Sequence, residues 1–172
     1  MTRNYEFSWD LLGDIQLGRP NLGPMVGIDV YQLMQYCFRD VLEQNFGAEK
    51  ADQLFFEAGK LAGMQFYLNV IKEAANFNDF IKSLQAALVE KKIGILRVES
   101  ADFDHGKFIL SIFEDLDCSG LPELDHVLCV YDEGFLAGLF EGFTGKKYQV
   151  QEVDCWCTGD RTCRFTAELI QQ

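Results

Sequence analysis

Four of the six cysteines in this 172-residue chain lie between Cys129 and Cys163. Three of them share one short stretch, Cys155-Trp156-Cys157-Thr158-Gly159-Asp160-Arg161-Thr162-Cys163. Thiolates grouped in this way are suited to a tetrahedral zinc ion, which takes sulfur, imidazole nitrogen and carboxylate oxygen. A tight turn holds two thiolates close together, and Gly159 relieves the backbone there. A structural site also needs a ligand from elsewhere in the chain. Cys129 supplies one from the first turn of an expected helix, where the positive helix end favours a thiolate. From the cysteines alone, the simplest set is Cys129, Cys155, Cys157 and Cys163. Glu152, three residues before Cys155, competes for a place as a carboxylate ligand. The plainer reading is a group of ordinary reduced thiols. Cys37 stands alone and Cys118 falls in a loop. In a reducing compartment, cysteines serve more often as metal ligands or buried thiols than as disulfides.

Other chemistry is poorly supported. The two histidines, His105 in a hairpin turn and His126 near a helix start, read as solvated. There is no Gly-rich phosphate loop, Ser-His-acid set or His-x-x-x-His pair. Glu114, Asp115 and Asp117 read as solvated surface, since a calcium loop needs more oxygen ligands in a recognisable order. The formal charge of -12 repels phosphate backbones and anionic lipid surfaces, so neither nucleic acid nor membrane is expected as a partner. No apolar run approaches the ~18 residues of a membrane span. The opening Met1-Thr2-Arg3-Asn4-Tyr5-Glu6 has no apolar signal core, and the expectation is a cytoplasmic protein.

These residues need elements to position them. Residues 1–27 mix aromatics with turn formers and read as a short strand or arm followed by a loop. A helix is expected from Ile28, with Val30, Leu33, Met34, Cys37, Val41 and Asn45 on one stripe and Gly47 as its stop. A second runs from Ala48 to Ala74, on the stripe Ala51, Leu54, Phe55, Ala58, Leu61, Ala62 and Gln65. Gly59 and Gly63 lie within it, each costing ~1 kcal/mol of propensity relative to alanine. Close approach of a neighbouring helix is the preferred explanation; room for a ligand is the other. Asn76 or Asn78 caps a third helix running to Lys91. The period then becomes 2 over Ile93–Ser100 and Phe108–Glu114, with Asp104-His105-Gly106 as the hairpin turn. A fourth helix follows from His126 to Phe143, N-capped by Asp125, with Gly134, Gly138 and Gly142 on one stripe. Lys146–Asp154 and Arg164–Leu169 complete a second hairpin. The expected class is α+β, with helices packed on an antiparallel sheet of two hairpins.

The stretch Cys129-Val130-Tyr131-Asp132-Glu133-Gly134-Phe135-Leu136-Ala137-Gly138, with Glu152-Val153-Asp154-Cys155 and Gly159-Asp160-Arg161-Thr162-Cys163-Arg164-Phe165, resembles the vinyl-4-reductase domain family. That family includes the sensor domains of phenol- and toluene-responsive bacterial activators. Leu17-Gly18-Arg19-Pro20-Asn21-Leu22-Gly23 and Ala58-Gly59-Lys60-Leu61-Ala62-Gly63 look like the segment preceding the core of those sensors. The resemblance implies a fold similar to TRAPP subunits, usually dimeric, and a zinc site of three cysteines and one glutamate. It transfers onto Cys129, Glu152, Cys155 and Cys163, leaving Cys157 as a spare thiol and Arg161 or Arg164 to offset the surplus negative charge. The histidine and tryptophan that hold the phenol hydroxyl in those sensors fall near Phe80 and Phe108, which implies a more apolar ligand. With no ATPase or DNA-binding segment in view, the chain is not expected to activate transcription alone.

The leading expectation is therefore a zinc-stabilised, homodimeric sensor or carrier that encloses a small hydrophobic molecule and reports it to a signalling partner. An enzyme or accessory acting on a tetrapyrrole vinyl group and a ligand-free scaffold or tether are the alternatives; no electron-carrying cofactor fingerprint supports the reductase. The excess of phenylalanine, 15 residues, places an apolar pocket between helices and sheet. Its expected walls are Phe66, Tyr67, Phe77, Phe80, Phe108, Leu110 and Ile112, and rings packed solidly against one another there would favour the scaffold.

Overall fold

The two segments of alternating apolar residues near the middle and end of the chain join into one sheet. The computed structural model describes residues 4–72 and 74–171, so Met1, Thr2 and Arg3 lie outside the described residues. Strands β1 (Ile95–Asp102) and β2 (Lys107–Phe113) form the first hairpin, and β3 (Tyr148–Asp154) and β4 (Cys163–Leu169) the second. Strand order is β1-β2-β4-β3, antiparallel throughout. In this register Leu110 faces Phe165, Ile112 faces Cys163, and Phe165 faces Glu152. Directly opposed residues share a face. Glu152 therefore follows Tyr148 and Val150 onto the buried side of β3, an acid set into an apolar row.

The helices are α1 (Ile15–Gly18, a single turn), α2 (Ile28–Phe46), α3 (Ala48–Phe66), α4 (Phe77–Glu90) and α5 (Val130–Thr144). The class is α+β, as expected. Gly47, at φ 82°, ends α2 and admits α3 at once. Asn76 caps α4, its side chain accepting from the Asp79 N–H at 3.0 Å. Helix α5 is buried from Gly134 to Phe140, packed between α3 and the sheet. A helix apolar on all sides belongs in such a central place.

Several boundaries depart from the sequence reading. The described part of the amino-terminal arm holds no strand; it makes a 3₁₀ turn (Trp9–Leu12) and α1, the latter capped by Asp14, which accepts from the Leu17 N–H. The second helix gives way after Phe66 to a π-type turn, Tyr67–Ile71. Helix α5 starts at Val130 rather than His126, and Cys129 rather than Asp125 is its N-cap. The preceding segment is held elsewhere: the Leu124 N–H donates to the Cys157 carbonyl at 2.6 Å, and the Trp156 indole donates to the Leu121 carbonyl at 3.1 Å. Backbone groups bonded to the hairpin turn are unavailable to a helix.

The stripe expected to face inward from α2 faces outward instead. Val30, Leu33, Met34 and Val41 are 51–67% exposed. On α3, Leu61 is likewise exposed, while Gly59 and Gly63 are buried among the backbone of α5. Close helix approach is thus the reason for those glycines.

Candidate metal centre

One helix end, one hairpin turn and one loop converge on a single point. Cys129 arrives at the N-terminus of α5, Cys155 and Cys163 flank the β3–β4 turn, and Cys118 comes from the loop after β2. All four are fully buried and none is in a disulfide. Their sulfurs lie within 4.8 Å of one another, a grouping that can hold a metal ion. The sequence marks Cys118 only as a loop residue. The signal available is its place beside two aspartates, and its position beside Cys163 depends on the β2–β4 pairing.

The distances test the fit to zinc. A Zn–S bond of ~2.3 Å in a tetrahedron gives sulfur–sulfur edges of ~3.8 Å. Cys129–Cys155 and Cys129–Cys163 are both 3.8 Å apart. Cys118–Cys163, at 3.0 Å, is too close for two ligands of one ion. Glu152 is 5% exposed, and neither of its carboxylate oxygens has a hydrogen-bond partner. Burial, then the negative charge of Cys155, pushes its carboxyl up to about 9. A buried acid without a donor is costly unless something ligates or protonates it. Cys157 is buried beside this group but outside the four-sulfur cluster, and burial followed by the Cys155 charge pushes its thiol up to about 12. Cys155 moves the other way, its thiolate favoured by hydrogen bonds from Cys118, Cys129 and Cys163.

The arginines expected to offset this charge are engaged elsewhere. Arg164 pairs with Glu99 at 3.0 Å and with Asp154, and Arg161 lies over the Trp156 ring. His105 and His126 are exposed, each beside an aspartate.

The acidic cluster is not solvated surface. Asp115 and Asp117 are 2% and 3% exposed, and Asp132 joins them from α5. Asp115 accepts from the backbone N–H groups of Asp117 and Cys118, which shapes the loop carrying Cys118. Asp117 accepts from the Tyr31 hydroxyl at 2.7 Å and the Gln35 amide at 2.8 Å, tying α2 to the same loop. Burial, then the charge of Asp117, raises Asp115 to about 7; burial first, then its two neighbours, raises Asp132 well above the ordinary range.

The expected pocket walls divide into two groups. Phe80 stacks on Phe143 at 4.5 Å, Phe77 on Phe108 at 5.0 Å, and Tyr67 meets the edge of Phe80 at 6.1 Å. Leu110 and Ile112 are buried on the same face of β2 as Phe108. Here the rings fill the space themselves, because paired aromatics gain both buried area and favourable quadrupole contacts. Phe66 lies elsewhere, edge-on to Phe135, and lines a pocket of about 280 Å³ with Trp9, Leu116, Tyr131 and Asp132. A wider apolar groove of about 610 Å³ runs between α2 and α3, past Met34, Phe38 and Leu54.

A helix-covered antiparallel sheet with a buried thiol cluster at one end defines the class of domain. Residues 108–169 match the vinyl-4-reductase domain, the family indicated by the cysteine-bearing stretches. An uncharacterized protein of Methanocaldococcus jannaschii is 33% identical over 107 residues, 62% of this chain and 63% of that protein. The chain therefore spans less than two thirds of that relative's length. A second protein of the same organism is 25% identical over 148 residues, 86% of this chain and 79% of its own. Among solved structures, the phenol-responsive sensory domain of the transcription activator PoxR with phenol has TM-score 0.64 at 14% identity, covering 85% of this chain and 76% of its own. A vinyl-4-reductase family protein of Methanocaldococcus jannaschii has TM-score 0.60 at 15% identity (87% and 85%). A trafficking protein particle complex subunit 3 from Naegleria fowleri, covalently bound to palmitic acid, has TM-score 0.64 at 11% identity (84% and 95%). The expected likeness to TRAPP subunits thus holds at the level of fold. Among the described residues, no helix is long and apolar enough to cross a membrane.

Proposed function

We propose that this chain is a zinc-stabilised module that binds a small hydrophobic molecule and reports it to a signalling partner, or carries it. The observation behind this is an adjacency. The pocket of about 280 Å³ takes its wall from Leu116, Asp117, Tyr131 and Asp132, and these residues flank Cys118 and Cys129 in the chain. A metal held there would fix two walls of the pocket. Bound zinc with four protein ligands supplies a cross-link and leaves no open position for chemistry. Cys129, Cys155, Cys163 and Glu152 are the ligands we favour, with Cys118 as the rival fourth. The exposed apolar face of α2 fits a homodimer, in keeping with the family resemblance. The vinyl-4-reductase domain match and the solved phenol-bound sensory domain of like fold support a sensor.

Native mass spectrometry and organic extraction of purified protein test this reading. One zinc per chain and a retained apolar molecule are expected. Recovery of protein with zinc but with no affinity for any apolar probe would favour a second reading, a scaffold. That alternative draws on the solid packing of Phe77, Phe80 and Phe108.

A further inference from the structure

The small-molecule pocket has one polar feature that its apolar walls do not explain. Asp132 is 7% exposed, and its Oδ2 has no hydrogen-bond partner. Its neighbours are provided for: Asp115 by two backbone N–H groups, Asp117 by Tyr31 and Gln35. Of the three, Asp132 alone keeps an open acceptor at the pocket wall, and no lysine, arginine or histidine lines the pocket among the described residues. Trp9, Phe66, Tyr131 and Phe135 surround it with rings.

We propose that this pocket takes a small organic cation, a primary ammonium on an apolar aromatic body, with Asp132 holding the charge. The proposal rests on the small-molecule-binding reading above and adds the charge class of the ligand. A neutral hydroxyl can donate to Oδ2 but leaves three clustered carboxyl groups without a cation. An ammonium gives both a donor and a positive charge. The fold has already removed Asp132 from water, so the ligand bears only its own desolvation. Ring faces favour a cation over a neutral group. A bare divalent ion is the other way to meet this charge, since Asp115, Cys129 and Asp132 offer ligand atoms within 4.8 Å of one another. It would have to share Cys129 with the thiol cluster and would leave the apolar pocket in front of it without a purpose.

The test is a matched series titrated calorimetrically into the zinc-loaded full chain: 2-phenylethylamine, 2-phenylethanol and ethylbenzene. The amine is expected to bind about tenfold or more tighter than the alcohol, as a charge-assisted hydrogen bond requires. Asp132→Asn should erase that preference while retaining the alcohol. In a Trp156→Phe background, Trp9 fluorescence should follow the amine and place it in this pocket. Should Asp132→Asn fail to fold, the ranking on the unaltered chain decides. Equal or tighter binding of the alcohol or ethylbenzene overturns the charge assignment and leaves the small-molecule reading standing. Failure of all three to bind overturns both. A second metal equivalent that is lost in Asp132→Asn also overturns the proposal, since the carboxylates would then be ligands.

Discussion

Gly59 on α3 lies against the carbonyl of Tyr131 on α5 so closely that a Cβ at Gly59 would overlap that oxygen. The arrangement is reciprocal. Gly63 sits on the Phe135 carbonyl, Gly134 on that of Phe56, and Gly138 on that of Lys60. Four glycines thus let two backbones approach without side chains between them, and this contact sets where α5 begins. Cys129 and Asp132 take their positions from it.

Gly59→Ala and Gly138→Ala should each destabilise the chain by ~1–3 kcal/mol or more, since a rigid backbone must move to admit the methyl group. Urea denaturation measures the loss. Gly18→Ala, with nothing within 4 Å of the added Cβ, should leave the midpoint nearly unchanged. Equal midpoints for all three variants would remove the interface argument.

The metal ligands can be separated by substitution. Cys129→Ala, Cys155→Ala and Cys163→Ala should lose zinc and unfold at lower temperature, because structural metal affinity is folding free energy. Cys157→Ser and Cys118→Ser should retain it, and Glu152→Gln should weaken it. If zinc survives Glu152→Gln and is lost in Cys118→Ser, the four-thiolate set is correct and the carboxylate is not a ligand. Metal content by plasma mass spectrometry, with melting curves before and after chelation, reads the difference.

The outward face of α2 carries Leu33 and Met34, 65% and 67% exposed. Covering it in a homodimer should bury more than ~1,000 Å² in total. Leu33→Glu should then yield a monomer with the zinc content unchanged. Sedimentation showing the unaltered chain monomeric at micromolar concentration would contradict the dimer.

Phe80 is fully buried against Phe143 and Phe140. Phe80→Ala should cost ~3–5 kcal/mol and leave a dry cavity that admits benzene or toluene. Phe80→His, by the family resemblance, should bring an affinity for phenols. Urea denaturation of Phe80→Ala and calorimetry on both variants check this; a cost below ~1 kcal/mol would mean that the ring cluster is looser than its packing implies.

The periods of 3.6 and 2, the turn glycines and the clustered cysteines carried the α+β class, the helices Ile28–Phe46 and Phe77–Glu90, and both hairpins, because these features are local. The crowding of Cys155 and Cys163 around one turn, with Glu152 three residues upstream, was equally local. The remainder depended on contacts between distant segments. Cys118 joins the thiols only because β2 pairs with β4 and places Ile112 opposite Cys163. Asp115 and Asp117 look solvated in sequence, since an acid beside a turn is normally exposed; tyrosines and a glutamine from α2, over eighty residues away, reverse that for Asp117. The outward stripe of α2 has the same helical period as a core stripe, and period alone does not say which apolar face meets the sheet. Phenylalanine content likewise could not say which rings pack on one another and which, like Phe66, border a pocket. Those choices belong to the packing of α3 against α5, where backbone fit decides between faces that hydrophobicity leaves equal.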